Sequence, residues 1–328
     1  MADLITALLK IENLNVDLNS SQGTISAVND LSFSVYPRET ICIAGESGAG
    51  KTMTILAILG LLPSNLVQCS GKILYRGQDL LTLPPLERRK LCGKEIGVVF
   101  QDPTNALNPV MKIGDQISEL YLLDKKMSKN EAMQASLEIL FRVGIPQPQR
   151  IVKQYPFQLS GGMQQRVLIA MAISRNPALL IADEPTTELD ATLQAQIVEL
   201  LFDLQDEMGL TMLWVTHDLS LAARISDRTL ILYAGKAMEV APTEVLLESP
   251  HHPYTKGLLA CMPQFAMQYS HKLMPIKGMA QAACSKTQCV FYPRCDVSKP
   301  CCRLAQPPMK TIADQHQAAC WMHTNQVG

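Results

Sequence analysis

The stretch that decides the fold runs from residue 45 to residue 52 and reads Gly45, Glu46, Ser47, Gly48, Ala49, Gly50, Lys51, Thr52. It joins a short apolar run over 40–44, predicted to be a strand, to a helical pattern over 52–62. Glycines let backbone N–H groups curl around phosphate oxygens, and the following helix N-terminus favours the same anion. The alternative is an ordinary glycine-rich turn, which the strand–loop–helix context makes much less favourable. The stretch therefore predicts a site for ATP, with Lys51 on the β- and γ-phosphates and Thr52 on Mg²⁺.

A second apolar run, 178–182, is also predicted to be a strand and ends at two carboxylates, Asp183 and Glu184. A carboxylate at a strand tip suits a Mg²⁺ ligand, and we assign that part to Asp183. Glu184 is placed to orient or deprotonate the attacking water. Taken alone, the pattern would favour a solvated acidic turn. Behind a phosphate loop, it predicts the hydrolytic part of a nucleotide site.

The rest of the chain alternates strand and helix signals outward from these two motifs. Further strands are predicted over 96–100, 211–216 and 229–233. One helix is predicted to open at Ser128 and end near Gly144, another to open at Ser160, and a third, which contains Leu193 and Leu204, to stop before Gly209. In the helix after Ser160, the residues Met163, Val167 and Met171 are predicted to share one face. Alternation of this kind predicts a layered α/β fold with a largely parallel sheet. Prolines and cysteines become frequent near Pro250, which predicts a domain boundary there.

Composition limits the classes of function. The chain has 328 residues, of which 47% are hydrophobic and 18% charged, with a formal net charge of −1. This balance predicts a packed core and argues against a general nucleic-acid binder, which would carry a basic excess. The longest apolar stretches, 55–62 and 167–173, are far below the ~20 residues of a membrane span, and the first residues lack a signal-peptide pattern. We therefore expect a soluble protein that reaches a membrane only through partners.

Residues 159–166, Leu-Ser-Gly-Gly-Met-Gln-Gln-Arg, resemble the signature motif of ABC ATPases, and they follow the phosphate loop in the family's order. Gln101 resembles the family's Q-loop glutamine, which touches Mg²⁺ and the membrane subunit. Asp190 resembles the D-loop aspartate, and His217 the switch histidine at the γ-phosphate. The resemblance implies a P-loop ABC-type nucleotide-binding domain, with a layered α/β core and a helical subdomain.

The resemblance also implies how the motor works. The signature residues Ser160, Gly161, Gly162 and Gln164 would cap the γ-phosphate of ATP bound to another ATPase subunit. One motif set in the chain implies that a partner chain is needed. In this family ATP closes the pair of subunits, and hydrolysis reopens it. One departure is that no aromatic residue precedes Phe33 to stack on adenine, which leaves aliphatic side chains for that contact.

Four further segments, 100–109, 155–159, 249–255 and 291–295, resemble the bacterial di- and oligopeptide (and nickel) importer ATPases. The likeness is to the first of the two ATPases of such systems, although Phe157 and Gln288 depart from the common pattern. It implies an ATPase domain over 1–250 and a small Cys-rich C-terminal domain over 251–328. It also implies a second ATPase subunit, two membrane permeases and an extracytoplasmic substrate-binding protein. The chain would lie peripherally on the cytoplasmic face of the membrane.

Two levels of alternative stay open at this point. Within the family, nickel or antimicrobial-peptide uptake is the alternative to import of di- or oligopeptides. Outside it, a soluble ABC protein acting in translation or repair, or an iron–sulfur redox-sensing module, would use the same motor. The single motif set and the importer-type tail favour transport.

Six of the ten cysteines lie between Cys284 and Cys320. With no signal peptide, this clustering predicts a metal site before it predicts disulfides. The importer family has the arrangement C-x5-C-x6-C followed by a fourth cysteine, which implies a four-iron four-sulfur cluster held by Cys289, Cys295, Cys302 and Cys320. Structural zinc is the rival, although it more often uses closer cysteine pairs. Four buried cysteines without any metal are the third alternative.

Overall fold

The computed structural model describes residues 6–20, 23–63, 65–123, 127–262, 276–278 and 287–323. The chain forms two compact units. The first contains Met1–Pro85 and Trp214–Gly328, and the second contains Leu86–Leu213. The predicted cysteine Cys284 lies outside the described residues.

An antiparallel sheet opens the first unit. It has the order β2-β1-β4-β5 and contains β1 (Leu9–Ser20), β2 (Gly23–Val35), β4 (Val67–Tyr75) and β5 (Gln78–Asp79). Leu9 and Ile11 are buried, and so are Leu14 and Val16, because a bulge with Asn13 at φ 47° shifts the alternation by one residue. This sheet is absent from the sequence prediction, which begins its strands at residue 40.

The second sheet of this unit positions the phosphate loop. The strand β3 (Thr40–Ala44) is buried throughout, and it pairs in parallel with β9 (Arg228–Tyr233). Beyond β9, the pairing turns antiparallel through β10 (Lys236–Pro242), β12 (His316–Ala318) and β11 (Lys310–Ala313). The C-terminal segment thus adds two strands to the sheet that carries the phosphate loop, so the expectation of a largely parallel sheet holds only for part of it.

A glycine and an aspartate define one end each of two helices of the first unit. The helix α1 (Lys51–Leu59) ends at Gly60, whose φ of 72° suits a glycine C-cap. The helix α9 (Leu219–Ile225) is capped by the side chain of Asp218. Among the described residues, the unit also contains the short helices α10 (Thr243–Glu248), α11 (Pro253–Ala260) and α12 (Cys301–Leu304).

The second unit contains a parallel strand pair and most of the longer helices. The strand β6 (Ile96–Val99) pairs with β7 (Leu179–Asp183), and β8 (Thr211–Thr216) is the strand in which the chain returns to the first unit. The helices are α2 (Pro85–Glu95), α3 (Pro103–Ala106), α4 (Ile113–Leu122), α5 (Lys129–Arg142), α6 (Pro148–Ile151), α7 (Gly161–Ile173) and α8 (Ala191–Met208). Ser128 forms the predicted capping box with Glu131, and α8 ends at Gly209 as predicted. Among the residues that the structure describes, no helix has the length and apolar character that a bilayer crossing requires.

Candidate functional site

The phosphate loop connects β3 to α1, as the sequence predicts. Two of its glycines are required by close contacts: a Cβ on Gly45 would lie 2.2 Å from the Leu232 carbonyl oxygen, and one on Gly50 would lie 2.5 Å from that of Ala27. Gly50 also has φ of 103°, in the region that favours glycine. Any side chain at either position would displace the loop from the neighbouring backbone.

Lys51 and Thr52 are the first two residues of α1, and their side chains differ in exposure. The Lys51 side chain is buried, and its Nζ donates to the carbonyl oxygens of Gly45 at 2.9 Å and Glu46 at 3.1 Å. Thr52 is exposed. The ammonium group is therefore folded over the loop, and the N-terminus of α1 completes an environment suited to an anion.

Glu46 makes contacts that the sequence analysis missed. Its carboxylate accepts two hydrogen bonds from Arg294, at 2.6 and 3.0 Å, and its backbone N–H donates to the Tyr254 hydroxyl at 3.1 Å. The bond to Arg294 raises the pKa of that guanidinium further above its usual range. The partners lie 208 and 248 residues away along the chain, so no local pattern could indicate them.

His217 follows β8 in the first unit and is exposed. The next residue, Asp218, caps α9 by accepting from the N–H groups of Ser220 and Leu221 at 2.8 and 3.3 Å. The cap fixes the backbone immediately after His217 and leaves the imidazole at the surface.

Gln101, Asp183 and Glu184 belong to the second unit. Because β6 and β7 are parallel neighbours, with Val99 opposite Ala182, these residues follow the same edge of the strand pair. Asp183 is buried at the end of β7, whereas Gln101 is exposed. Glu184 has φ of 47°, and its carboxylate accepts from the Thr187 hydroxyl at 3.1 Å. A left-handed backbone at a non-glycine residue is costly, and such strain clusters at functional sites.

The signature residues lie at the N-terminus of α7. The Ser160 side chain caps the helix by accepting from the Met163 N–H at 3.4 Å, and both Ser160 and Gly161 are exposed. Gly162 is buried, and a Cβ there would lie 3.1 Å from the Leu193 side chain. The exposed start of this 13-residue helix is an environment suited to an anion from outside.

Gln164 and Asp190 are already engaged within the second unit. The Gln164 amide donates to the Pro156 carbonyl at 2.9 Å and accepts from the Thr104 hydroxyl at 3.2 Å. Asp190 caps α8 by accepting from the N–H groups of Thr192 and Leu193, both at 3.0 Å. Gln164 therefore holds the segment before the signature helix, and Asp190 fixes the start of the next long helix.

Four cysteines of the C-terminal segment share one pocket, called here the cysteine pocket: Cys289, Cys295, Cys302 and Cys320. Its cavity volume is about 20 Å³, and its other walls include His252, Phe291 and Trp321. Cys289 donates its N–H to the Cys302 carbonyl at 2.9 Å, which ties the two ends of the pocket together. Cys301, the neighbour of Cys302, does not line it.

Burial raises the pKa values of three of the pocket thiols. Burial raises the pKa of Cys289 to about 12, and the neighbouring thiols of Cys302 and Cys295 add to the shift. Burial also raises the pKa values of Cys295 and Cys320. Deprotonation would need a bound cation. Among the described residues, no three or more His, Cys, Asp or Glu side chains are arranged to hold a metal ion.

Two family descriptions match the chain. Residues 28–187 match the ABC transporter family, and residues 238–302 match the oligopeptide/dipeptide transporter C-terminal region. The dipeptide transport ATP-binding protein DppD of Bacillus subtilis is 42% identical over 317 residues, which cover 96% of this chain and 94% of the relative. A putative peptide import ATP-binding protein of Brucella abortus is 42% identical over 325 residues, covering 95% and 96% of the two chains.

Solved structures agree with these relatives. A dimeric ABC cassette, MJ0796, bound to ADP and Pi has a TM-score of 0.64 at 28% identity, covering 72% of this chain and 98% of that one. The chain cbiO1 of Clostridium perfringens, part of the ABC transporter complex cbiONQ, has a TM-score of 0.63 at 29% identity, with 74% and 91% covered. The P-loop ABC ATPase fold is thereby confirmed. The chain belongs to the ABC transporter family as an ATP-binding subunit, an ATPase whose hydrolysis is coupled to transport.

Proposed function

We propose that this chain hydrolyses ATP to power import of dipeptides or oligopeptides across the cytoplasmic membrane. The observation that carries the proposal is end-to-end likeness: relatives named for dipeptide transport and peptide import are 42% identical over nearly their whole length. The match to an oligopeptide/dipeptide transporter C-terminal region covers residues 238–302, which lie outside the residues 28–187 that match the ABC transporter family. Nickel or antimicrobial-peptide uptake, and action in translation or repair, have no such support.

Within the first unit, the phosphate loop from Gly45 to Thr52 binds the triphosphate of ATP. The Lys51 ammonium exchanges its loop carbonyls for phosphate oxygens, and the exposed Thr52 hydroxyl binds Mg²⁺. His217 contacts the γ-phosphate from its exposed position after β8. The buried lysine and the glycine-dependent loop support these roles.

Within the second unit, the edge that follows β6 and β7 supplies the hydrolytic groups. Asp183 and Gln101 hold Mg²⁺, and Glu184 orients or deprotonates the attacking water. Ser160, Gly161 and Gly162 act on the nucleotide of a partner ATPase, with Gln164 supporting them from behind and Asp190 at the D-loop. The exposed N-terminus of α7 and the strained backbone of Glu184 support this division of roles.

The functional assembly is a pair of ATPase subunits bound to membrane permeases. The pairing is supported by the likeness to a dimeric cassette bound to ADP and Pi, and membrane partners by the likeness to a member of a transporter complex. We assign to this chain a second ABC ATPase, two permeases and an extracytoplasmic substrate-binding protein. The chain then lies peripherally on the cytoplasmic face of the membrane, held there by the permeases.

Co-purification from detergent-solubilised membranes tests the assignment. A tagged full-length chain should bring down two integral membrane proteins and a second ATPase, identified by mass spectrometry. The purified complex with its binding protein should then hydrolyse ATP faster with a di- or oligopeptide than with Ni²⁺. Recovery of ribosomal or repair proteins in place of permeases would overturn transport, and stimulation by Ni²⁺ alone would overturn the peptide substrate.

The cysteine pocket is proposed to bind a four-iron four-sulfur cluster within a Cys-rich C-terminal domain over 251–328. Support comes from four thiols on one pocket, and from Cys302, not Cys301, being the lining member of its pair. Four thiolates are the usual ligands of such a cluster. The cluster, when bound, would tie together a proline-rich segment, while the four thiols donate the ligand sulfurs. Anaerobic purification with iron and zinc analysis tests this: stoichiometric zinc, or no metal, would exclude the cluster.

A further inference from the structure

Every polar group of Glu46 is held by other residues of the first unit. Its N–H donates to the Tyr254 hydroxyl at 3.1 Å, and its carbonyl accepts from Lys51 at 3.1 Å. Its carboxylate receives both terminal nitrogens of Arg294, at 2.6 and 3.0 Å. The second residue of the phosphate loop is therefore fixed by one residue of α11 and one residue of the C-terminal segment.

The Arg294 side chain is also held by groups other than Glu46. Its side chain is 7% exposed, its Nε donates to the Lys277 carbonyl at 2.9 Å, and its guanidinium lies 5.6 Å from the ring centroid of Tyr233. A planar guanidinium held on its edge and face can satisfy a carboxylate in only one orientation. The two terminal nitrogens of Arg294 are thus held in position to bind the Glu46 carboxylate, unlike those of a flexible surface arginine.

Tyr254 provides the second fixed contact. It is fully buried and packs against Tyr233 and Phe291, with ring centroids 4.7 and 5.2 Å apart. Burial raises the pKa of its hydroxyl, so the hydroxyl stays protonated while it accepts from the Glu46 N–H. The aromatic cluster therefore holds the backbone of the loop at the point where Arg294 holds its side chain.

Charge gives the contact a consequence for ligand binding. Glu46 places a carboxylate in the loop that receives the triphosphate, and like charges a few ångströms apart repel. Paired with Arg294, the carboxylate is neutralised by the guanidinium charge. Unpaired, it would oppose the phosphates and compete for Lys51, which sits in the same loop.

We propose that Arg294 is a positioning residue for the phosphate loop: by binding and neutralising Glu46, it makes ATP affinity depend on the C-terminal segment. The inference rests on the proposed ATP-binding role of the loop. Arg294 directly precedes Cys295 of the cysteine pocket, so the segment that shapes the pocket also delivers this guanidinium. Nucleotide binding and the state of the tail are then coupled within one unit.

The test is equilibrium titration of the full-length chain with a fluorescent ATP analogue. Arg294→Gln should weaken binding by about tenfold or more, as expected for loss of a bidentate charged pair beside an anionic ligand. Arg294→Lys keeps the charge but loses the fork, so it should recover part of the affinity. Arg303→Gln is the matched control: it removes another tail arginine that stacks on Tyr292 and has no contact with the loop, and it should bind as the parent does.

A double-substitution cycle separates positioning from general support of the fold. In a Glu46→Gln background, Arg294→Gln should cost less than about twofold in affinity, because the charge it neutralises is gone. In the assembled transporter, Arg294→Gln should raise KM for ATP more than it lowers kcat. Equal losses in both backgrounds, or a loss matched by Arg303→Gln, would overturn the proposal. If circular dichroism shows that Arg294→Gln does not fold, the same comparison is made with Arg294→Lys in the parent and Glu46→Gln backgrounds, and its result decides the proposal. A parent chain that binds no ATP would refute the proposed function, and is thus a different outcome.

Discussion

Glu239 on β10 is a fully buried carboxylate, and replacing it with alanine is expected to loosen the C-terminal segment from the sheet. The carboxylate accepts from the backbone N–H groups of His251 and His252, at 2.6 and 3.0 Å, and bonds to His316 Nε2 at 2.7 Å. These three donors come from the start of α11 and from β12. One side chain therefore fastens two parts of the tail to the central sheet.

The cost of Glu239→Ala follows from those three bonds. Hydrogen bonds to a charged group contribute about 1.5–3 kcal/mol each, and removing one partner leaves the others buried without an acceptor. The contributions do not add fully, because water can enter the space that the side chain leaves. Breaking a buried charged network typically costs about 3–5 kcal/mol, and we expect that range for Glu239→Ala. Against a total of about 5–15 kcal/mol for a domain, such a loss is severe.

Urea unfolding of the full-length chain, followed by circular dichroism, measures the effect. We expect the midpoint to fall with a loss of about 3–5 kcal/mol, and the melting temperature to drop by about 6–20 °C. Glu244→Ala is the matched control, because Glu244 is exposed on the neighbouring helix α10 and should shift stability by less than about 0.5 kcal/mol. A loss below about 1 kcal/mol for Glu239→Ala, with native circular dichroism, would refute the reasoning.

The remaining predictions concern the site. Glu184→Gln should keep ATP binding and lower turnover of the assembled transporter by a factor on the order of 10²–10⁴, and turnover near the parent rate would exclude it as the base. Ser160→Ala on this chain should impair hydrolysis at the partner's site, measured in complexes where only one ATPase is altered; a defect confined to its own site would contradict that role. Cys302→Ser should lose the iron that Cys301→Ser retains, as metal analysis of anaerobic protein would show, and the reverse result would exchange the ligand.

The motor elements could be predicted because their patterns are local. The strand over 40–44 and the end of α8 at Gly209 are confirmed, and the Ser128 capping box forms as predicted. Each depends on residues within a few positions: a continuous apolar run, a glycine at the C-cap, or a serine three residues before a glutamate. The site residues that follow strands were predicted in the same way, from the residues directly after each apolar run, and their roles stay predictions.

The antiparallel sheet was missed because its pattern changes phase. Leu9 and Ile11 occupy odd positions of β1, whereas Leu14 and Val16 occupy even ones, and the shift occurs at the bulge around Asn13. A period-two pattern therefore fails over the full strand, although each half obeys it. The face predicted for α7 accounts for only part of the buried surface of that helix. Val167 is buried, but so are neighbouring residues around the helix, so the buried surface has no single stripe: Leu168, Ile169, Ala170, Gln165.

The composition of the chain changes near Pro250, yet side-chain contacts join the residues on either side of this position. Residues beyond it hold Glu46 through Arg294 and Tyr254, and Glu239 through His316, so both of those acidic side chains in the earlier part are satisfied by the later part. A buried carboxylate without its partners is costly, which makes the tail a condition for the stability of the sheet it covers. The proline- and cysteine-rich composition is typical of a segment that has little hydrophobic core of its own. Such a segment is stabilised by its contacts with the sheet. The dependence is mutual, because residues of the tail bond the carboxylates of Glu46 and Glu239.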